Sequence, residues 1–117
     1  MAGFDCSGYV VEILTAVGLL AHRSDYTAQG LLDRFKAFPK KKPYAGCLIF
    51  WSAGGEAIHV EMAMDETFTA GASGGGKATI NLIEAIKTNA FIKMRTNIYR
   101  GPFQAVVDPF EEIKNDE

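Results

Sequence analysis

The chain has 117 residues, of which 48% are apolar and 22% are charged, a composition typical of one folded domain rather than a disordered segment. Its 12 basic and 14 acidic side chains leave a formal net charge of −2, so no overall positive charge favours nucleic acid as a partner. No secretory signal is visible, and the longest uncharged stretch near the N-terminus, residues 13–21, is too short to span a membrane.

The first third of the chain has the pattern of two helices. Apolar residues recur at helical spacing from Asp5 to Leu20. A second helix follows, which either Ser24 or Asp25 can cap, and it is expected to end by Phe38 because a proline comes next. The basic segment after it, residues 40–43, is predicted to be a solvated turn.

The rest of the chain has mainly the pattern of strands. A glycine pair follows the first of them, Asp65 and Glu66 form the predicted turn between the second and third, and a short helix is predicted over residues 80–86. The predicted strands are residues 47–51, 58–64, 68–72, 91–94 and 103–107.

Helices followed by strands favour an α+β fold, in which N-terminal helices pack on a mainly antiparallel sheet. We expect one domain over residues 1–110. The acidic tail, residues 111–117, carries four acidic side chains against one lysine and is predicted to fray.

Cys6 lies at the first turn of the first predicted helix. The backbone N–H groups and the positive dipole end at that position favour a thiolate, which is the nucleophile that amide or ester cleavage requires. Asp5 is placed as a cap, although its negative charge partly opposes a fall in the pKa of the thiol. The alternative is a structural cysteine beside a capping aspartate. Cys47, in an apolar run, is predicted to be a small buried hydrophobe.

His59 is the candidate base for Cys6. It opens a predicted strand directly after a glycine-rich turn, whereas His22, the other histidine, follows the first helix among polar residues and is predicted to be a surface residue. A cysteine on a helix with a distant histidine on a strand is the papain-like arrangement of nucleophile and base. A structural histidine on a strand is the alternative.

Three blocks of the sequence resemble one known family. Residues 4–10, Phe-Asp-Cys-Ser-Gly-Tyr-Val, closely resemble the Asp-Cys-Ser-Gly-[Phe/Tyr]-Val signature of the NlpC-type cell-wall cysteine peptidases. Residues 45–51 resemble that family's Pro-Gly-Asp-Leu-Val-Phe-Phe strand, and residues 58–60 resemble its His-Val-Gly strand, which bears the catalytic histidine. The blocks occur in the family's order, with Cys6 and His59 separated by 53 positions.

The resemblance implies a papain-like fold and hydrolysis of amide bonds in peptidoglycan stem peptides, typically between D-glutamate and a diamino acid. Cys6 would then be the nucleophile, with its own backbone N–H helping to stabilise the oxyanion, and His59 would be the general base and later the general acid. By the same resemblance, Asp5 and Ser7 are candidate contacts of the substrate's free amine. No metal or cofactor is implied, and the expected partner is the stem peptide rather than nucleic acid.

The sequence departs from the family pattern in three places. Relatives usually carry some thirty residues before the cysteine, including a block whose tyrosine lines the site, whereas only five residues precede Cys6 here. The family's aspartate in the Gly-Asp-Leu strand is replaced by Cys47. The polar residue that orients the histidine usually lies on the next strand, about a dozen residues on, but residues 68–72 contain no His, Asn or Gln.

Strand geometry gives no replacement for the missing orienting residue. If Asp65 and Glu66 form a two-residue turn, His59 faces Ala72, which offers no side-chain acceptor. Glu61 shares a face with His59 but is expected to be nearly 7 Å away along the strand. Ser73 or a backbone carbonyl remains a candidate after a small shift of register.

The favoured hypothesis is therefore a peptidoglycan endopeptidase. The absence of a visible signal suits an enzyme that is cytoplasmic in the producing cell or associated with a virion, such as a phage lysin or a tail-associated hydrolase. One alternative is a catalytically silent papain-like module that binds cell wall or has a structural role. Another is a thiol acyltransferase or deamidase that uses the same pair of residues. Arg95 and Arg100 are candidates to meet a substrate carboxylate.

Overall fold

A computed structural model describes residues 6–21, 25–72 and 92–115 of the chain. Helices α1 and α2 come first, five strands follow, and a short helix α3 comes last. The helix predicted over residues 80–86 lies outside the described residues. The elements are α1 Cys6–Ala16, α2 Ala28–Phe35, β1 Leu48–Ala53, β2 Glu56–Ala63, β3 Phe68–Ala72, β4 Ile92–Thr96, β5 Ala105–Val107 and α3 Glu111–Asn115.

Both predicted N-terminal helices are present, but their boundaries differ from the prediction. The backbone N–H groups of Leu19 and Leu20 bond back to the Leu14 carbonyl, and this closing turn ends α1 at Ala16 rather than at Leu20. The predicted caps of α2 are wrong, since Thr27 caps the helix. Its side-chain oxygen accepts a hydrogen bond from the backbone N–H of Gly30, the third residue of the helix. A threonine oxygen at this position satisfies an N–H that the helix itself leaves without a partner.

The five strands form one sheet in the order β4-β3-β2-β1-β5, and every neighbouring pair is antiparallel. The α+β fold with a mainly antiparallel sheet is therefore confirmed, and it is consistent with a papain-like domain. Strand β2 lies at the centre of the sheet, with α1 and α2 packed against it.

A tight turn between β1 and β2 places His59. Gly54 and Gly55 have φ of 61° and 82°, and a two-residue hairpin needs such positive values at both central positions. Strand β2 therefore begins at Glu56, earlier than predicted. An irregularity in the ladder follows Trp51, and His59 is the direct partner of that tryptophan.

The buried apolar side chains form two clusters. The larger one joins the two N-terminal helices to alternate residues of β1 and β2, among them Leu48, Phe50 and Val60. The smaller one contains Trp51, together with Cys47, which is fully buried as its apolar surroundings predict. Because side chains alternate along a strand, His59 and Glu61 lie on the opposite face of β2 from Val60.

The acidic segment that was predicted to fray instead forms α3 over its described residues. Glu112 accepts hydrogen bonds from both terminal nitrogens of Arg34 on α2, and Glu111 pairs with Lys40. Charge complementarity with basic side chains elsewhere in the fold holds this segment down, and composition alone does not show such partners. Both ion pairs are only partly shielded from solvent, and each such pair makes a small contribution to stability.

Asp108 connects the end of β5 to the loop before β1. The residue is 2% exposed, and its two carboxylate oxygens accept hydrogen bonds from the Tyr44 hydroxyl and from the Phe110 N–H. Burial and the hydrogen bond to Asp108 raise the pKa of Tyr44, so the phenol stays protonated and remains a donor. Two segments that are distant in sequence are thereby joined next to the first strand.

We predict that Asp108→Ala lowers the free energy of unfolding by about 1–3 kcal/mol, because it leaves two donors without their acceptor. Tyr44→Phe is the matched control. It removes only one of the two hydrogen bonds, from an exposed residue, and should cost about 0.5–1.5 kcal/mol. Urea denaturation of the three proteins measures both effects. Equal losses from the two substitutions would contradict the bridging role of Asp108.

Candidate active site

Cys6 is the first residue of α1, and its side chain is partly exposed. Val10 and Leu14 are fully buried, and they anchor the helix where it packs against β2 and β3. The first N–H groups of a helix have no acceptor within the helix itself, and its N-terminal end carries a partial positive charge. Cys6 therefore occupies a position that favours both a thiolate and a neighbouring oxyanion.

His59 contacts Cys6. The imidazole hydrogen-bonds the cysteine side chain, and it is held in a largely buried position, 7% exposed, with its ring centroid 5.5 Å from that of Trp51. The structure thus brings together the two residues that the sequence analysis proposed as nucleophile and base. Packing against the indole limits how far the ring can swing away from Cys6.

Glu61 makes the contact with His59 that the sequence analysis did not find. Its Oε2 lies 2.6 Å from His59 Nε2, and it also accepts a hydrogen bond from the Tyr99 hydroxyl. Its Oε1 accepts a hydrogen bond of 2.6 Å from Thr69 Oγ1. The glutamate side chain is only 3% exposed, so these donors replace the water that a carboxylate would otherwise bind.

The expected separation of His59 and Glu61 was wrong. A spacing of nearly 7 Å along a strand applies to the backbone positions of residues i and i+2. Both side chains lean into the gap between those positions, and a glutamate is long enough to close it. The sequence signal that could have found Glu61 is an acidic residue within a strand whose other members are mainly apolar.

The register of the β2–β3 hairpin also differs from the prediction. The observed partners are Met62 with Ala70 and Ala63 with Thr69, which is one residue away from the register of a two-residue turn at Asp65 and Glu66. The connection is longer, because the Asp65 carboxylate accepts hydrogen bonds from the N–H groups of residues 67 and 68. A shift of one residue decides which face each side chain of β3 occupies, and it brings Thr69 to Glu61.

The electrostatics of the site favour a charged pair between His59 and Glu61. Burial lowers the pKa of His59, but the hydrogen bonds to Cys6 and Glu61 outweigh it and raise the pKa above its usual value. Burial raises the pKa of Glu61, but the hydrogen bonds from His59, Thr69 and Tyr99 outweigh it and lower that pKa. The carboxylate therefore stays ionised, and the imidazole is more easily protonated than a free histidine.

Tyr99 extends the site towards the connection between β4 and β5. Its ring centroid lies 6.1 Å from that of Trp51, whose Nε1 donates a hydrogen bond to the Gly101 carbonyl. The guanidinium carbons of Arg95 and Arg100 lie 4.6 Å and 6.0 Å from the centroid of the Tyr99 ring. The two arginines thus lie beside the site, and the positive charge of Arg100 partly offsets the rise in the pKa of His59. No sequence signal linked Tyr99 to a histidine 40 positions away.

Of the two proposed substrate-binding residues, Asp5 and Ser7, the structure describes only Ser7. Ser7 follows Cys6 in the first turn of α1 and is 9% exposed. Asp5, His22 and Ser73 lie outside the described residues. The contact of Asp5 and Ser7 with a substrate amine stays a prediction.

Within residues 6–21, 25–72 and 92–115, no three His, Cys, Asp or Glu side chains are grouped as ligands for a metal ion. In the same ranges, no helix has the length and apolar character needed to cross a bilayer.

Comparison with known proteins agrees with the observed fold. The model of the NlpC/P60 family matches residues 1–99, a span that includes Cys6, His59, Glu61 and Tyr99. No curated protein matches the chain. The helices and the five-stranded antiparallel sheet are consistent with a papain-like domain of this family. The chain therefore belongs to the NlpC/P60 family, whose members are generally cysteine peptidases that act on peptidoglycan.

Proposed function

We propose that this protein is a cysteine peptidase that hydrolyses an amide bond in the stem peptides of peptidoglycan. The observation that carries the proposal is the hydrogen bond between Cys6 and His59 at the start of α1. Membership of the family supports a peptidase of the cell-wall type in general. The bond between D-glutamate and a diamino acid is the specific substrate that the resemblance of the sequence implies.

In the first step, the Cys6 thiolate attacks the carbonyl carbon of the scissile amide. The negative charge that develops on the carbonyl oxygen is stabilised by the backbone N–H of Cys6 at the positive end of α1. The His59 imidazolium then donates its proton to the leaving amine, and the C–N bond breaks. The result is a thioester between Cys6 and the acyl part of the substrate.

In the second step, water hydrolyses the thioester. Neutral His59 removes a proton from the water as the oxygen attacks the thioester carbon, and the C–S bond breaks to release a carboxylic acid. Cys6 leaves as the thiolate and His59 is again protonated, so the charged pair is restored. A raised pKa of His59 suits this cycle, since the imidazolium must persist beside a thiolate at neutral pH.

Two alternatives share this site. A different acyl acceptor in place of water would make the protein an acyltransferase, and release of ammonia from a side-chain amide would make it a deamidase. A silent cell-wall-binding module would keep the fold without turnover. The hydrogen bond of His59 to Glu61 removes one reason for that last reading, because it supplies the ring with a polar partner. The origin from a phage lysin or a tail-associated hydrolase is part of the proposal and rests on the sequence alone.

We predict that Cys6→Ala and His59→Ala each reduce cleavage of purified muropeptides by at least about a thousandfold in kcat/KM. Removing either member of a nucleophile–base pair removes the function of the pair, so the double variant should lose little more. Product masses identify the bond that is cut and distinguish hydrolysis from transfer. His22→Ala is the control histidine substitution and should retain the activity of the wild type.

Thermal unfolding of each variant separates loss of chemistry from loss of fold. If a folded His59→Ala variant keeps most of the wild-type activity, the base lies elsewhere and the proposed mechanism fails. If the wild type itself cleaves no muropeptide, the silent module becomes the better reading.

We also predict that iodoacetamide alkylates Cys6 with a pH midpoint well below about 8.5, the usual pKa of a cysteine thiol. The start of α1 and the imidazolium of His59 both stabilise the thiolate. Cys47 is the internal control, since burial raises the pKa of its thiol and shields it from the reagent. A Cys6 midpoint at or above the usual value that is unchanged in His59→Ala would contradict the thiolate–imidazolium pair.

A further inference from the structure

The Glu61 carboxylate is the acceptor in its hydrogen bonds with three other side chains. The His59 ring contacts one carboxylate oxygen, Thr69 donates to the other, and Tyr99 donates to the oxygen that faces the ring. These donors come from β2, from β3 and from the segment after β4. A carboxylate held from three directions cannot rotate without breaking a hydrogen bond in a buried site, so its position is well defined.

The neighbouring strand leaves space for this side chain at one residue. A Cβ atom built on Gly71 would lie 2.5 Å from Glu61 Cγ and 2.7 Å from Glu61 Cδ, closer than such atoms approach in proteins. Any side chain at position 71 therefore competes with Glu61 for the same volume. The absence of a side chain on Gly71 is what allows the carboxylate to lie beside β3 and reach His59.

The orientation of His59 follows from these contacts. Nε2 of the ring points at Glu61, and the ring has one other nitrogen, Nδ1, with which to meet Cys6. A carboxylate accepts but does not donate, so it holds the ring with a proton on Nε2. Nδ1 is then the atom that exchanges a proton with the thiol and with the leaving amine.

We propose that Glu61 is the positioning residue of the active site, which orients His59 towards Cys6, and that Gly71 is required because it leaves room for the Glu61 side chain. The role deepens the proposed function and rests on it. The sequence pattern expected the orienting residue on the strand after the histidine, whereas here it lies two residues further along the same strand. Glu61 touches no reacting atom and acts through His59.

Charge and shape can be separated with Glu61→Gln. The amide keeps the size of the side chain and an oxygen acceptor for Thr69, but it removes the negative charge that favours the imidazolium. We expect the pKa of His59, followed by NMR titration, to fall by about one unit, and the midpoint of Cys6 alkylation to rise. The thiolate then loses its charged partner at lower pH, so the alkaline limb of the activity profile also moves to lower pH.

The matched control is Glu66→Gln, which makes the same change of charge at an exposed position in the loop after β2. Salt screens the effect of this charge on the site, so the His59 pKa and the midpoint of Cys6 alkylation should equal those of the wild type. A folded Glu61→Gln variant with wild-type values for His59 and Cys6 would overturn the positioning role. A merely structural role of Glu61 would lower stability without moving either midpoint.

Moving the carboxylate between strands tests the geometry. An ideal Cβ at position 71 lies 2.5 Å from the present Glu61 Cγ and 2.7 Å from Glu61 Cδ, so an aspartate there has its carboxyl group within reach of the space that the Glu61 side chain occupies. We expect Glu61→Ala to raise the Cys6 midpoint and to reduce muropeptide cleavage by at least about tenfold. We expect the double variant Glu61→Ala/Gly71→Asp to return the Cys6 midpoint towards the wild-type value and to restore most of the muropeptide cleavage. Gly71→Asp alone brings two carboxylates together, so its cleavage should be impaired.

The outcomes distinguish this inference from the proposed function. A wild type that cleaves no muropeptide, with a Cys6 midpoint that still depends on Glu61, would overturn the substrate but support the positioning role. Cleavage that is unaffected in both Glu61 variants would support the peptidase and overturn the positioning role. A folded double variant that behaves like Glu61→Ala would overturn the assignment of the space beside Gly71.

Discussion

The carboxylate of Glu61 is a negative charge held almost out of contact with water, and the arrangement of the active site depends on keeping it ionised there. Moving an ion from water into a protein interior costs several kcal/mol even after relaxation. That cost is offset only if donors replace the lost water. His59, Thr69 and Tyr99 do so, and the pKa of Glu61 lies below its usual value because their hydrogen bonds outweigh the effect of burial.

The same requirement links the local site to the whole sheet. Thr69 reaches Glu61 only in the observed register of β2 and β3, and a slip of one residue would turn its hydroxyl to the other face. Tyr99 reaches it only because β4 pairs with β3 and returns the chain to the site. Loss of one donor would leave a buried charge incompletely satisfied, which is more costly than the absence of the whole network. The pairing of the sheet and the geometry of the site therefore stabilise each other.

The chemistry of the site follows from the order in which positive and negative charges alternate across it. The dipole of α1 favours a negative charge at Cys6, and the carboxylate of Glu61 favours a positive charge at His59 between them. An imidazolium flanked by an acceptor on one side and a thiolate on the other is ready to deliver a proton to a leaving amine. Arg100 acts in the opposite direction on His59, so the pKa of the ring reflects a balance rather than one partner.

The sequence by itself determined the elements whose causes are local. Apolar spacing defined the two N-terminal helices, the glycine pair defined the β1–β2 turn, and the block around Cys6 carried the family resemblance that the NlpC/P60 match confirms. Only the tertiary structure decided which groups surround the histidine. The identity of Glu61 as its partner depends on a one-residue register, on a missing side chain at Gly71, and on a hydroxyl from Tyr99. Each of these is a contact between segments that are separate in sequence, and local propensity contains no information about how distant strands align.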